Sequence, residues 1–155
     1  MPLEDAPLYG EHPAVSIRAV TPQDADPVIT LWRVVFPEYG DPTRPQRDPR
    51  ASIARKLAFG DGLFWLAEEP GRIVGTVMAG YDGHRGWIYS LGVHPDARRM
   101  GVGRALVAHA ERALRALGCP KVNLQVLSSK PEAQEFWRRV GYAQDAVTSF
   151  GKRLG

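Results

Sequence analysis

The segment from residue 63 to residue 93 constrains the fold more than any other part of the chain. Apolar runs of strand length lie at 63–68, at 73–81 and at 87–93. Only short turns separate them, Glu69-Pro70-Gly71 and Asp82-Gly83, and Asp-Gly is a strong hairpin signal. Because connections this short cannot hold a crossover helix, we expect these strands to pair as an antiparallel meander.

The hydrophobic period changes after His94-Pro95. Apolar residues recur at helical spacing from Val102 to Leu117, and Gly118 is a typical residue at a helix end. A further strand is predicted at 122–126. If it lies parallel to the 87–93 strand, the two strands and the helix between them form a right-handed βαβ unit.

The residues before the meander predict one strand and two helices. Alternation of apolar and polar residues at 15–19 indicates the strand. A helix follows, starting either at the capping box Thr21-Pro22-Gln23-Asp24 or at Asp26-Pro27, with the proline in its first position. A second helix is predicted to start at Asp48-Pro49, after a long, proline-rich loop at 37–49.

The last part of the chain predicts a helix at 131–140 and a strand at 147–152. The resulting order is β-α-α-β-β-β-α-β-α-β, which predicts an α+β fold around a mixed, mostly antiparallel sheet. We expect a single domain over residues 15–155 and a poorly ordered segment at 1–14.

Composition excludes several classes of protein. The chain has 155 residues, of which 44% are hydrophobic and 24% charged, as is typical of a globular domain. No apolar run approaches the roughly 20 residues that span a bilayer, and the acidic N-terminus lacks the apolar core of a secretory signal, so we expect a cytoplasmic protein that binds no membrane. The single cysteine and the spacing of His, Asp and Glu predict no disulfide and no metal.

The net charge of +3 is unevenly distributed. Residues 1–90 carry a net charge of −3, and residues 91–155 carry +6. This asymmetry is compatible with an anionic ligand held by the C-terminal half, although solvated helix faces are the simpler interpretation of charge alone. Nucleic-acid binding is disfavoured, because no aromatic–basic platform or helix-turn-helix pattern accompanies the charge.

The residues between the 87–93 strand and the following helix have the composition of an anion-binding turn. Gly101 and Gly103 let backbone N–H groups approach a ligand closely, and the helix N-terminus adds partial positive charge. Arginines at 98, 99 and 104 add full charges. A dinucleotide fingerprint would need glycine where Leu106 stands, and the Gly-Lys-Ser/Thr of a P-loop is absent.

At this turn the sequence resembles the GNAT (GCN5-related N-acetyltransferase) superfamily. Its acetyl-CoA signature, Arg/Gln-x-x-Gly-x-Gly/Ala, is matched by Arg98, Gly101 and Gly103, after a strand and before an amphipathic helix as in the family. A second family block is matched downstream by Ala133, Phe136, Gly141 and Tyr142. The resemblance extends over about residues 15–153, and the 81–86 segment is similar to that of a small bacterial subgroup.

The resemblance implies a fold, a co-substrate and a binding site. The fold is a GNAT-like mixed sheet with a splayed parallel strand pair, flanked by about four helices. Acetyl-CoA would be the co-substrate and an unidentified amine the acceptor, and homodimers are common in the family. The residues implied to contact CoA are Leu91, Gly92, Val93, Arg98, Arg99, Met100, Gly101, Val102, Gly103, Arg104, Lys130, Phe136 and Trp137.

Acetyl transfer to an amine needs an oxyanion donor, a route for the amine proton and a departing thiol. The resemblance implies the backbone N–H of Val93 as the oxyanion donor. Candidate bases in the hairpin and on its returning strand are Asp82, His84, Tyr89 and Ser90. The acid is commonly a tyrosine in the second block, but Trp137 stands there, and Tyr142 is the remaining candidate acid.

Two functions therefore stay open beside nucleic-acid binding. The first is an acetyl-CoA-dependent N-acetyltransferase acting on a primary amine by direct attack in a ternary complex. Because Trp137 has no titratable proton, the alternative is a CoA-binding regulatory or partner module with little or no turnover. The acceptor is expected to meet the variable loops at 37–49 and 81–86.

Overall fold

The central sheet has five strands in the described part of the chain, arranged across its width in sequence order. The computed structural model describes residues 15–44 and 47–155. The strands are β1 (Ser16–Ala19), β2 (Phe64–Glu69), β3 (Arg72–Tyr81), β4 (Gly86–Val93) and β5 (Val122–Asn123). The first four pair antiparallel and β5 pairs parallel to β4, which confirms the predicted mixed sheet and its meander.

Four α-helices accompany the sheet within residues 15–44 and 47–155. They are α1 (Ala25–Val35), α2 (Pro49–Phe59), α3 (Val102–Ala116) and α4 (Pro131–Arg139). The chain forms two compact units, one ending at Leu124 and one running from Gln125 to Gly155, and α4 belongs to the second. The expected segment 1–14 lies outside the described residues, and the single domain over 15–155 stays a prediction.

The α1 and α3 helices cover opposite faces of the sheet. On one face, Trp32 and Leu31 of α1 pack into a buried cluster with Leu66 and Met78. On the other, a Cβ placed on Gly75 would lie 3.0 Å from the side chain of Leu106 in α3. Adjacent Cβ positions along β3 point to opposite faces, so this strand supports both helices.

The start of α1 differs in part from the sequence-based alternatives. The Thr21 N–H and hydroxyl both donate to the Asp24 carboxylate, at 2.7 and 2.9 Å, as the capping box predicts. A 3-10 turn at Pro22–Asp24 follows, and α1 begins at Ala25 rather than at Pro27. Pro27 is tolerated there because the first helical turn has no intrahelical acceptor for its missing N–H.

Two strand predictions are corrected. β5 ends at Asn123 rather than at residue 126, because its ladder with β4 comprises only the pairs Gly86–Val122 and Trp87–Asn123. Residues 147–152 form no strand, and the side chains of Val147 and Phe150 are 79% and 93% exposed. Alternating apolar residues form a strand only where a partner edge accepts their backbone hydrogen bonds, and none of the described ladders includes this segment.

Candidate active site

A β-bulge interrupts β4 in its second half. Tyr89 pairs with Met78 of β3 and Gly92 pairs with Thr76, so Ser90 and Leu91 together oppose a single β3 residue. Ser90 has a φ of 51°, in the left-handed region that a serine rarely adopts. The predicted hairpin strand is therefore present, with an irregularity that periodicity did not indicate.

The bulge decides which way the backbone of Val93 points. The Gly86 N–H donates away from β3, to the Lys121 carbonyl at 2.9 Å, whereas the His94 N–H donates toward β3, to the Val74 carbonyl at 2.7 Å. Residues an even number apart donate to the same side of a regular strand, so the extra residue has reversed the alternation. Because His94 donates toward β3, the N–H of its neighbour Val93 points away from β3.

Beyond Trp87, the edge of β4 that carries this N–H has no ladder partner among the described residues. The parallel pairing of β4 with β5 ends at Trp87, while β4 continues to Val93. The carbonyl of Val93 accepts a hydrogen bond from the Arg98 Nε at 3.3 Å, as expected for a group that faces away from β3. The structure thus brings the predicted strand residues Leu91, Gly92 and Val93 to an edge without a ladder partner.

Gly92 is required by close packing. A Cβ at this position would lie 2.7 Å from the Val35 Cγ2 and 3.0 Å from the Phe36 Cζ, at the end of α1. A side chain larger than hydrogen would have to displace the side chains of Val35 and Phe36. Gly92, which the resemblance assigns to CoA binding, therefore also has a role in packing the strand against the end of α1.

The turn from Arg98 to Gly101 leads directly into the start of α3. Arg99 has a φ of 69° and Gly101 a φ of 79°, and α3 begins at the next residue, Val102. The first intrahelical bond runs from the Ala105 N–H to the Gly101 carbonyl at 3.0 Å. The preceding amides of the helix, at residues 102–104, have no partner within it.

The electrostatics of this turn favour an anion. The first turn of α3 contains no acidic residue, and Gly101 supplies no side-chain cap. Arg98, Arg99 and Arg104 are exposed beside it, and the helix dipole adds partial positive charge at the same end. The geometry therefore gathers the predicted residues 98–104 at a helix start whose charges and free helix-end amides would suit an anion.

The hairpin between β3 and β4 uses its carboxylate for its own turn. The Asp82 carboxylate accepts hydrogen bonds from the His84 and Arg85 amides, at 2.7 and 2.8 Å, and these bonds lower its pKa. His84 is exposed in this turn. Asp82 is thus an anion held by backbone donors, which makes it a weaker base than an ordinary carboxylate.

Tyr89 stands on the strand just before the bulge. The residue is 49% exposed, and its ring stacks on that of Trp87, with centroids 6.3 Å apart and planes at 15°. Partial burial and the charge of Asp82 raise the pKa of Tyr89. A raised pKa keeps the phenol protonated at neutral pH, which suits a hydrogen-bond donor better than a base.

The remaining predicted residues belong to the second unit. Trp137 makes edge-on contacts with Phe136 and Tyr142, with ring centroids 5.3 and 5.1 Å away. The Tyr142 N–H also donates to the Trp137 carbonyl at 2.9 Å, and Lys130 is exposed directly before α4. Tyr142 is therefore a neighbour of the tryptophan that replaces the expected acid.

Sequence reasoning missed the buried hydrogen bonds behind the bulge. The Trp32 Nε1 donates to the Thr76 hydroxyl at 2.9 Å, and that hydroxyl lies 3.1 Å from the Ser90 carbonyl. The one signal in the sequence is a threonine inside the apolar run of β3. A lone polar residue in a buried strand needs a hydrogen-bond partner, but the sequence does not show which.

Neither a metal cluster nor a membrane span is found within residues 15–44 and 47–155. No group of three or more His, Cys, Asp or Glu side chains there could hold a metal ion. None of the helices in this part combines the length and apolar composition that crossing a bilayer requires.

Solved structures share this fold. A GCN5-related N-acetyltransferase from Ralstonia eutropha JMP134 superposes with a TM-score of 0.69 at 24% identity, covering 90% of this chain and 99% of that one. The paiA N-acetyltransferase from Thermoplasma acidophilum, in complex with coenzyme A, superposes with a TM-score of 0.77 at 15% identity, covering 87% and 93%. The predicted GNAT-like fold is confirmed.

Sequence comparison identifies the family. The model of the Acetyltransferase (GNAT) family matches residues 27–142. Acetyltransferase SG1711 of Sodalis glossinidius (strain morsitans) is 44% identical over 141 residues, which cover 90% of this chain and 96% of that protein. With most of its length matched by both, this chain belongs to the GNAT acetyltransferase family.

Proposed function

We propose that this protein transfers an acetyl group from acetyl-CoA to a primary amine by direct attack in a ternary complex. The observation that carries the proposal is the start of α3, where uncapped amides and three arginines lie directly after a strand edge without a ladder partner. The coenzyme A bound by the Thermoplasma relative supports the same co-substrate here.

The residues at this helix start fit the diphosphate of CoA. Amides of residues 99–104 would donate to its oxygens, and Arg104 would add charge-assisted hydrogen bonds. Arg98 already donates from Nε to the Val93 carbonyl, which ties the turn to the strand edge. In this arrangement one arginine links the diphosphate end of the site to its reacting end.

The Val93 N–H is the proposed oxyanion donor. It points away from β3 on the part of β4 that has no ladder pair with β5. There it could donate a hydrogen bond to the thioester carbonyl. As the amine attacks, negative charge grows on that oxygen, and a fixed donor stabilises the transition state more than the ground state. Tyr89, four residues earlier in β4, is proposed as a further donor from its protonated phenol.

Removal of the amine proton and departure of the sulfur need less help from side chains than stabilisation of the oxyanion does. An alkylamine with a pKa near 10.4 is neutral about 0.04% of the time at pH 7, so a water relay or His84 would carry its proton away. A thiol with a pKa of about 8.5 departs without full protonation. Trp137 in place of a tyrosine is therefore compatible with turnover, and Tyr142 stays a candidate acid.

The acidic N-terminal half favours a cationic acceptor. Residues 1–90 carry a net charge of −3, opposite to that of a protonated amine. Loops from this half, at 37–49 and 81–86, are where we expect acceptor specificity to reside.

Calorimetry with acetyl-CoA tests the helix start. In Gly101→Glu, a side chain and a negative charge would enter the diphosphate path, and we expect binding to be lost. Gly118→Glu is the matched control, because Gly118 also has a positive φ, of 82°, at the other end of α3 with open space around it. Unchanged affinity in Gly101→Glu would overturn the assignment of the site.

Turnover separates an enzyme from a binding module. Release of free CoA and mass analysis of products over a panel of primary amines would detect acetyl transfer. Binding of acetyl-CoA without transfer to any amine would favour the regulatory alternative. Transfer to amines, with little hydrolysis in their absence, is the result we expect.

The pH–rate profile tests the missing acid. Without a side-chain acid at the leaving sulfur, the rate should rise as the amine deprotonates and fall only above pH 10, where the Tyr89 phenol, with its raised pKa, loses the proton that it donates. Trp137→Phe should change the rate little, while Trp137→Tyr could accelerate it by restoring a donor. A high-pH fall in the wild type that disappears in a folded, CoA-binding Tyr142→Phe would instead assign Tyr142 as the acid.

A further inference from the structure

The bulge in β4 is held in place by two buried side chains from other elements. Trp32 of α1 and Thr76 of β3 are both 0% exposed. The Trp32 Nε1–Thr76 Oγ1 distance is 2.9 Å, and the Thr76 Oγ1–Ser90 O distance is 3.1 Å. These contacts form one continuous chain from the core to the bulge.

The chemistry of the three groups fixes the direction of both hydrogen bonds. An indole N–H can only donate, so the Thr76 oxygen must accept from Trp32. The single hydroxyl proton of Thr76 is then directed to the Ser90 carbonyl, which can only accept. The chain therefore has one arrangement of protons, and it holds the carbonyl of the bulged residue.

Ser90 needs such support. A non-glycine residue in the left-handed region is strained and persists only where its surroundings determine it. The apolar neighbours Val74 and Val77 are fully buried, so an unpaired hydroxyl at Thr76 would be costly without the two hydrogen bonds. The buried polar pair and the strained residue thus stabilise one another.

We propose that Thr76 and Trp32 are positioning residues for acetyl transfer. They hold the bulge, the bulge reverses the alternation of β4, and that reversal turns the Val93 N–H away from β3 toward the thioester. Without the extra residue, the Val93 N–H would donate to β3 and be unable to stabilise an oxyanion. The inference rests on the proposed function, because it assigns the two residues a role in that reaction.

The closing experiment compares Thr76→Val with Thr76→Ser. Valine keeps the shape and removes both hydrogen bonds, whereas serine keeps the hydroxyl. We expect kcat to fall about 10- to 100-fold in Thr76→Val, as for a displaced oxyanion donor. The Kd for CoA should change less than about threefold, since the diphosphate turn is untouched, and Thr76→Ser should restore most of kcat.

A spectroscopic readout makes the test independent of turnover. The ¹³Cα and ¹³Cβ chemical shifts of Ser90 report its left-handed backbone, and we expect that signature in the wild type and in Thr76→Ser but not in Thr76→Val. If Thr76→Val fails to fold, Trp32→Phe takes its place: it retains a ring but removes the N–H that fixes the Thr76 hydroxyl toward Ser90, so we expect a smaller loss of kcat in the same direction with CoA affinity unchanged.

The outcomes separate this inference from the proposed function. A folded Thr76→Val with wild-type kcat, or a loss of kcat that Thr76→Ser does not restore, would overturn the positioning role while leaving acetyl transfer intact. Equal losses in kcat and in CoA affinity would also overturn it, because they indicate a general structural effect. A wild type that neither binds acetyl-CoA nor acetylates any amine would instead overturn the proposed function.

Discussion

The starts of α2 and α3 differ in what happens to the backbone N–H groups of their first turns. At α2, the Asp48 carboxylate accepts hydrogen bonds from the Arg50 and Ala51 amides, at 3.0 and 3.4 Å. At α3, Gly101 precedes the helix, no side chain caps it, and its first turn contains no acid. Both helices leave amides without intrahelical acceptors, and only α2 satisfies them from its own N-cap side chain.

This difference assigns the start of α2 to folding stability and leaves the start of α3 available to a ligand. A capped helix start contributes to folding and has little left to offer a ligand. An uncapped start flanked by arginines gives up that contribution and keeps its donors for an external anion. Substitutions at the starts of α1, α2 and α3 test this contrast.

An acid placed in the first turn of α3 should abolish its use as an anion site. In Gly103→Glu the carboxylate would occupy the positive helix end, and we expect the Kd for acetyl-CoA to rise about 100-fold. The same change should not lower the melting temperature, because an acid near a helix N-terminus contributes about 0.3–1 kcal/mol and Gly costs up to about 1 kcal/mol in a helix. Calorimetry and thermal unfolding measure both.

Gly103→Gln is the control for this prediction. Glutamine has the size of glutamate without its charge, so it should weaken binding less. Equal affinities of the two variants would show that charge at this helix start does not determine binding.

Removal of one arginine at the helix start should weaken binding by about tenfold or more. Arg104→Ala would delete the proposed charge-assisted hydrogen bond to phosphate, and such bonds contribute at least about 1.5 kcal/mol, or roughly tenfold in Kd. Arg115→Ala, in the last turn of the same helix, is the matched control and should leave the Kd unchanged. The two isotherms, compared at several salt concentrations, would contradict the prediction if both variants lost equal affinity.

The start of α1 adds a pH-dependent case. Arg18 donates to both Asp24 carboxylate oxygens at 2.8 Å, and these bonds, with those from Thr21, hold the pKa of Asp24 well below its usual range. A depressed folded-state pKa stabilises the fold above the unfolded-state pKa near 3.9, and that stabilisation is lost as the pH falls below it. Asp24→Asn should therefore lose stability at pH 7, and its deficit relative to the wild type should shrink progressively as the pH falls from about 4 toward the low folded-state pKa of Asp24.

Urea unfolding at a series of pH values measures this difference. Asp41→Asn is the comparison: the pKa of the partly buried Asp41 is also lowered, mainly by hydrogen bonds from Thr43, so we expect a smaller loss of stability over the same pH range. A constant difference between the wild type and Asp24→Asn across the pH range would contradict the assigned cause.

The cap of α2 should affect stability alone, by the smallest amount. Asp48→Ala removes the acceptor for two amides, and we expect the free energy of unfolding to fall by about 1 kcal/mol. The Kd for acetyl-CoA should stay unchanged, in contrast to Gly103→Glu. Asp48→Ser retains an N-cap acceptor and should recover most of the lost stability. Reduced CoA affinity in Asp48→Ala would contradict the prediction that the cap of α2 affects stability alone.

The sequence predicted the features that depend on neighbouring residues. The Asp82-Gly83 turn, the Asp48-Pro49 helix start and the glycine turn before α3 each follow from local backbone chemistry, and each lies where it was expected. The resemblance also placed the candidate binding residues 91–104 in one segment, and the structure shows them as a strand edge and a helix start.

The features that sequence reasoning got wrong depend on distant partners. Residues 147–152 alternate like a strand, yet no described ladder includes them, so their alternation was not sufficient to predict a strand. β5 stops at Asn123 for the same reason, since the extent of a strand is set by its neighbour as well as by its own residues.

By itself, the sequence determined the antiparallel meander, the helix starts and the amide-rich turn, because short connections, caps and glycines act within a few residues. Only the tertiary structure decided which way the Val93 N–H points. That direction depends on a bulge at Ser90 held by Thr76 and by Trp32, which stands 44 residues before Thr76 in the chain. No local pattern encodes a hydrogen bond between residues so far apart, because folding alone brings their partners within reach.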